Sequence, residues 1–258
     1  MELIVRGPAR DLHSGLFGGA VANPATVLAR VLASLHDAEG RVLIPGFYDA
    51  VRPLAVWERE AAVNLEAASG GDTAIKELAG VTELFGEKGF TTIERIGARP
   101  TAEINGMGGG YQGAGTKTVL PKEAFAKLTF RLVADQDPTT ILTVAEEFLR
   151  AQTPPGVLLE VVIGHSGGAY QSDPNSPDGV AARKALFGAF GKDPLLLRDG
   201  GSIPILATLK EILGVDSYLL GLANPDSRIH SPDENMLIEN FLGGIRMNRI
   251  LLEELAGP

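Results

Sequence analysis

Hydrophobic and polar positions along this chain alternate between two periods, and each change of period marks a predicted element. Glu2 to Val5 reads as a strand. Asn23-Pro24 then opens a helix through about Leu35, with Val27, Leu28, Val31, Leu32 and Leu35 on one face. Residues Arg41 to Pro100 are less regular: a Pro/Gly loop at Ile44-Pro45-Gly46, helix-like Trp57 to Ala68 and a shorter helix-like Thr73 to Leu78. This block, about 41–100, reads as an insertion. Thr101 to Met107 resumes as a strand, and Ala124 to Val133 follows as another, with Phe125, Leu128, Phe130 and Leu132 as its apolar markers. Pro138 to Ala151 carries a helical stripe of Ile141, Val144, Ala145, Phe148 and Leu149, and Val157 to Ile163 is a further strand. Without the insertion the order is β-α-β-β-α-β, a ferredoxin-like sandwich of one sheet and two helices.

Gly164 to Pro177, rich in Gly, Ser, Asp and Pro, is the expected linker, so the chain divides into residues 1–165 and 166–258. The second part predicts helix Pro177 to Phe190, a short strand Leu195 to Leu197, a turn Arg198-Asp199-Gly200-Gly201, helix Ile203 to Leu213, strand Ser217 to Leu222, a polar loop around His230, and helix Asn235 to Leu255. Two strands and three helices make a thin α/β layer, because a parallel sheet needs helices on both faces and usually more strands. The second domain therefore reads as incomplete α/β. Met1 runs straight into strand-like sequence, so the chain is expected to begin inside a fold.

Composition narrows the function classes. With 258 residues, 45% of them hydrophobic and 21% charged, the chain can bury a sizeable core. Zero Cys excludes disulfides, thiolate metal sites and cysteine nucleophiles, and fits a reducing cytoplasm. A net charge of -9 argues against nucleic acid or an anionic membrane as partner, and the longest apolar runs are of strand length, too short for a membrane span.

Several motifs carry chemistry. Gly108-Gly109-Gly110-Tyr111-Gln112-Gly113 formally matches a dinucleotide fingerprint, but it leads towards another strand, where pyrophosphate binding requires a helix; a loop between strands accounts for it. His13 lies among Gly15, Gly18 and Gly19 just beyond a strand, where glycine lets backbone approach a ligand. Arg131, within a strand, is either a bidentate carboxylate fork or half of a sheet-face ion pair. His165 sits beside Ser166-Gly167-Gly168, and Arg198-Asp199-Gly200-Gly201-Ser202-Ile203-Pro204 is a strand-turn-helix in which Ser202 capping alone is a sufficient explanation. Phe47, Tyr48 and Trp57 read as packing. His230, in Ile229-His230-Ser231-Pro232-Asp233-Glu234-Asn235, is placed like a metal ligand at a strand end, yet no other His stands in metal-binding spacing to it.

Taken in order, D-L-H-S-G-L-F-G-G, I-N-G-M-G-G-G-Y, G-T-K-T-V-L-P, F-R-L-V-A-D-Q-D-P, R-D-G-G-S-I-P and I-H-S-P-D-E-N form a series that resembles the di-zinc metallopeptidases of the aminoacylase, desuccinylase and carboxypeptidase superfamily, and within it the carnosinase-like non-specific dipeptidases. The resemblance covers essentially the whole chain. It implies a ferredoxin-like lid that is also the dimerisation domain, followed by an incomplete α/β catalytic segment. His13 matches the lid histidine that enters the partner subunit's site to stabilise the oxyanion. Arg131 matches the arginine gripping the substrate carboxylate, and Thr118 and His165 match further substrate contacts. Gly200 and Gly201 match the turn near the substrate, although relatives often have Ser at the position of Gly201. His230 matches the terminal zinc ligand.

The family's H-x-D ligand pair, bridging Asp and Glu-Glu pair have no counterpart here, since Glu146-Glu147 and Glu253-Glu254 lie on amphipathic helices. The resemblance thus implies the C-terminal part of a dipeptidase or aminoacylase that splits an amide bond of a dipeptide or N-acyl amino acid. Two zinc ions serve each site of the intact family enzyme, but this chain alone is expected to be inactive and not to bind zinc stoichiometrically. A homodimer through the lid is the implied assembly. The alternative is a non-catalytic dimerisation or scaffold module.

Overall fold

The computed structural model describes all residues except Gly200, Gly201, Ser202, Pro204, Pro225, His230 and Pro258. The first 162 residues carry strands β1 (Glu2–Arg6) and β2 (Leu12–His13) and helices α1 (Ser14–Phe17), α2 (Pro24–Ala33), α3 (Val56–Ser69), α4 (Gly71–Ala79) and α5 (Thr92–Ala98). Then come β3 (Thr101–Gly109), β4 (Val119–Leu120), β5 (Glu123–Arg131), α6 (Pro138–Ala151) and β6 (Leu158–Val162). Four strands form one antiparallel sheet in the order β3-β5-β1-β6, so the first and third strands of the β-α-β-β-α-β unit, β1 and β5, lie at its centre, as in a ferredoxin-like sandwich. The register sets Leu3 against both Ala126 and Val161.

Alternation decides which face is covered. Leu3, Val5, Ala124, Ala126, Leu128 and Leu159 point to one side and meet Val27, Leu28 and Val31 of α2 and Ile141, Ala145 and Leu149 of α6, all buried. Phe125 departs from the expectation. It is 41% exposed on the outer face, because period two puts Ala124, Ala126 and Leu128, with half-buried Phe130, inward. Both covering helices start on a side-chain cap followed by proline: Asn23 accepts the Ala25 amide and Asp137 the Thr140 amide.

Residues 41–100 contribute more to this core than the term insertion suggests. Val42, Ile44 and Phe47 are buried in it, and the Tyr48 hydroxyl accepts the Val42 amide. Beyond them, α5 was not expected from periodicity, though its capping box is written in the sequence: Thr91 accepts the Glu94 amide and the Glu94 carboxylate accepts the Thr91 amide. A polar node anchors the block. Glu87 accepts two bonds from Arg99 and one from Arg41, while Arg99 lies over the rings of Tyr48 and Phe90.

After β6 the chain runs without regular structure to Ser176, whose hydroxyl caps α7 (Pro177–Phe190); α8 (Ile205–Leu213) and α9 (Ile238–Ala256) complete it. α9 lies against α7, where Gly243 leaves room for the Phe190 ring that a Cβ would overlap. The strands expected at Leu195–Leu197 and Ser217–Leu222 are not formed. A strand exists only where neighbouring backbone pairs with it, and neither stretch has such a neighbour among the described residues.

Candidate active site

A large concavity lies where the sheet end, the 41–100 block and the C-terminal helices meet, with a volume of about 1390 Å³. Its apolar wall includes Trp57, Leu65, Phe130, Ile141 and Phe190, and its polar groups include Glu58, Arg131, His165, Gln171 and Arg198. Arg131 is the last residue of β5, paired with Thr101 at the sheet end, and lines the cavity. His165 comes from the irregular stretch after β6 and is exposed within the same cavity.

His13 and Thr118 are elsewhere. They belong to a two-stranded ribbon, β2 with β4, in which His13 pairs with Val119 and the Ser14 amide donates to the Thr118 carbonyl at 3.1 Å. Neither residue lines the cavity. The His13 Nδ1 accepts the Gly15 amide at 3.1 Å, so the neutral ring carries its proton on the other nitrogen, Nε2. His13 is exposed. Gly200, Gly201 and His230 lie outside the described residues.

Two polar groupings were not singled out from the sequence. One joins Glu58, Gln171 and Arg198 in the cavity wall, with Arg198 Nη2 2.6 Å from Glu58 Oε1. Gln171 carries no signal of its own, being a neutral amide in a polar stretch. The other ties the cavity-lining Tyr170 to the far wall: its hydroxyl accepts the Ser217 amide at 2.7 Å and donates to Asp216 at 3.1 Å. Burial holds the Tyr170 hydroxyl above its ordinary titration range. The Lys210 ammonium, 2.8 Å from Asp216, holds that carboxyl below its ordinary range.

Among the described residues no three His, Cys, Asp or Glu side chains come together to hold a metal ion. Nor is any described helix long and apolar enough to cross a membrane.

A ferredoxin-like sheet with an exposed histidine on a ribbon, beside a cavity holding an arginine and a histidine, defines the lid half of a peptidase. Residues 1–157 match the peptidase dimerisation domain of the M20 family. The chain belongs to the M20 peptidases and corresponds to the C-terminal part of the family's dipeptidases. It is 33% identical over 257 residues to the Cys-Gly metallodipeptidase DUG1 of Candida albicans, covering 95% of this chain and 50% of that protein. Among solved structures, the M20 family metallo-carboxypeptidase Sso-CP2 from Sulfolobus solfataricus superposes with a TM-score of 0.81 at 29% identity, covering 98% of this chain and 56% of the other. Human carnosine dipeptidase 1 does so with a TM-score of 0.71 at 26% identity, covering 100% and 54%. The chain spans about half the length of the curated relatives it matches.

Proposed function

We propose that this chain supplies the substrate-gripping lid and the closing segment of a zinc-dependent cytoplasmic dipeptidase, with residues 1–165 as lid and dimerisation domain and 166–258 as the end of the catalytic domain. The substrate is a dipeptide, the class for which the relatives are named, or an N-acyl amino acid. The observation that carries the reading is the division of the candidate residues: Arg131 and His165 line one cavity while His13 and Thr118 stand outside it.

Arg131 then holds the substrate's terminal carboxylate through paired charge-assisted hydrogen bonds and fixes the amide bond in register, with His165 and Thr118 as further contacts. Gly200 and Gly201 are proposed as additional substrate contacts. His13, whose Nδ1 is engaged by the Gly15 amide, donates through Nε2–H to the carbonyl oxygen as it gains negative charge, in the site of a second copy. The assembly is a homodimer built on the lid sheet, whose edge strands β3 and β6 have one free backbone side each.

The metal is a matter for the longer protein. Of the zinc ligands implied for the family, this chain offers His230, and its described residues do not assemble a site, so no step of the chemistry is assigned to a metal here. The purified 258-residue chain is expected to hold well under one zinc per chain and to leave Cys-Gly and β-Ala-His intact. The longer protein containing it is expected to hydrolyse one of them when supplied with zinc. Turnover by the 258-residue chain overturns the partial-site reading; a zinc-loaded longer protein inert on every dipeptide and N-acyl amino acid favours the scaffold alternative. Sedimentation is expected to give twice 27.1 kDa.

A further inference from the structure

Arg198 is held from three sides. Its Nη2 donates to Gln171 Oε1 at 2.7 Å and lies 2.6 Å from Glu58 Oε1, and Gln171 Nε2 donates to the same Glu58 oxygen at 3.0 Å. Gln171 Oε1 also accepts from Arg52 Nη2 at 3.1 Å, and Arg52 in turn pairs with Asp135 in the turn between β5 and α6. The second oxygen of Glu58 accepts the Ala55 amide at the start of α3. The side chains of Glu58 and Arg198 are 6% and 19% exposed, so water screens this pair little.

The contact also involves backbone. Gly97 of α5 lies so close to Arg198 that a Cβ at position 97 would overlap the Arg198 carbonyl oxygen. Arg198 itself belongs to an extended stretch without ladder partners, so side-chain and van der Waals contacts from the 41–100 block are what fix it. Its Nε is buried without a partner among the described residues, which leaves the guanidinium held chiefly through Nη2.

We propose that Glu58 and Gln171 are positioning residues for Arg198, and that through them the 41–100 block latches onto the C-terminal wall of the cavity. The latch links four segments: the loop before α3, α3 itself, the irregular stretch after β6 and the extended stretch after α7. Its existence is independent of what the cavity binds. One consequence rests on the dipeptidase reading: Gln171 and Arg198 line the same cavity as Arg131 and His165, so the block governs substrate placement from a distance.

Trypsin tests the latch on the 258-residue chain. Arg198 is followed by Asp199, and exposed Arg10 is likewise followed by Asp11, so the two Arg-Asp bonds provide a matched pair within one molecule. Cleavage after Arg198 requires its guanidinium to leave Glu58 and Gln171 for the protease. E58Q and Q171L each leave Arg198 intact and are expected to raise its initial cleavage rate about tenfold relative to Arg10. The reciprocal double variant E58Q/Q171E restores one carboxylate and one amide in exchanged places, and is expected to return the rate to within about threefold of the parent. Mere loss of packing predicts no such rescue.

Unchanged cleavage in both single variants overturns the proposal, as does a double variant no better than the worse single. If a single variant unfolds, cleavage inside α6 after Arg150 rises with it. G97A then carries the test, because it presses on the Arg198 backbone while leaving every latch side chain in place. It too is expected to accelerate cleavage after Arg198, and no acceleration overturns the latch. Catalysis is read separately in the longer protein, where E58Q is expected to raise KM several-fold with kcat little changed. A loss confined to kcat overturns the claim about substrate placement while leaving the tryptic result standing.

Discussion

Replacing Glu87 by Ala should loosen the 41–100 block from within. Glu87 is 9% exposed and accepts Arg99 Nε at 2.7 Å and Arg99 Nη2 at 2.9 Å, with the Arg99 side chain 13% exposed. Removing one member of a buried pair costs about 3 to 5 kcal/mol, since the other charge stays behind without a partner. Two features reduce this. Arg99 keeps its stacking over Tyr48 and Phe90, worth about 0.5 to 1 kcal/mol each, and Arg41, the other partner of Glu87, is half exposed and returns to water. The expected cost is therefore about 2 to 3 kcal/mol, against less than about 1 kcal/mol for Arg41→Ala. Trp57, the sole tryptophan, lies in α3 within the same block, so its fluorescence reports this region while far-UV dichroism reports the whole. With a urea slope of about 2 to 3 kcal/mol per molar, the midpoint should fall by about 1 M. Separation of the two probes would mean that the block unfolds ahead of the lid, and the cost then belongs to that local transition. A shift under about 0.2 M, or a coupling below about 0.5 kcal/mol in the Glu87→Ala/Arg99→Ala cycle, refutes the reasoning.

In the longer enzyme, Arg131→Ala should raise KM about tenfold or more through loss of charge-assisted bonds worth about 1.5 to 3 kcal/mol each. His13→Ala should instead lower kcat by on the order of a hundredfold, and mixing the two inactive proteins should restore partial activity, because a heterodimer can collect both lesions in one composite site. Mixed and exchanged dimers that stay inactive reject His13 as a donor across the interface. Burial raises the Tyr48 pKa above its ordinary value of 10.0, so its stabilising contribution is present below pH 10 and is lost as pH climbs through the folded-state value. Tyr48→Phe should accordingly flatten the alkaline limb of a stability profile measured from pH 8 to 11, and identical limbs reject this. The Asp216 pKa is lowered from 3.8 by the hydrogen bond from Lys210, so its contribution is present above that value and fades as pH falls through the folded-state value. Asp216→Asn should remove that acid-dependent part, visible in melting curves taken between pH 5 and 2.

The ferredoxin-like sheet was legible because its signals are local and agree with one another. Asn23-Pro24 and Asp137-Pro138 combine a side-chain cap with a proline whose missing amide costs nothing at a helix start, and apolar stripes follow at helical spacing. Strand order followed from the β-α-β-β-α-β sequence once the 41–100 block was set aside. The two-residue ribbon holding His13 and Thr118 was not legible, since pairing of Leu12–His13 with Val119–Leu120 joins segments more than a hundred residues apart and leaves no periodicity to read. Phe125 was assigned to the core on hydrophobicity, but register relative to Ala124 and Ala126 sends it outward. Nor was the Glu58–Gln171–Arg198 contact visible, because three unrelated segments meet there and only Arg198 belonged to a recognisable motif.

The missing strands after α7 follow from the same distinction between local and distant causes. Leu195–Leu197 and Ser217–Leu222 have the apolar content of buried strands, yet a helix satisfies its backbone internally whereas a strand borrows partners from elsewhere. The helices predicted beside them did form, within two or three residues of the expected ends, each from its own sequence. Their outward surfaces remain strongly apolar: Ile212 is 73% exposed, Phe241 58% and Leu252 70%. Scattered exposed residues are ordinary, but large apolar side chains concentrated on α8 and α9, next to two extended stretches without ladder partners, occur where an α/β layer would continue. The lid differs, because α2 and α6 already cover one face of a four-stranded sheet and a buried core follows. Within one chain, then, residues up to Val162 contain both members of every sheet pairing, whereas the later residues carry the hydrophobic pattern of a sheet without the neighbours to complete it.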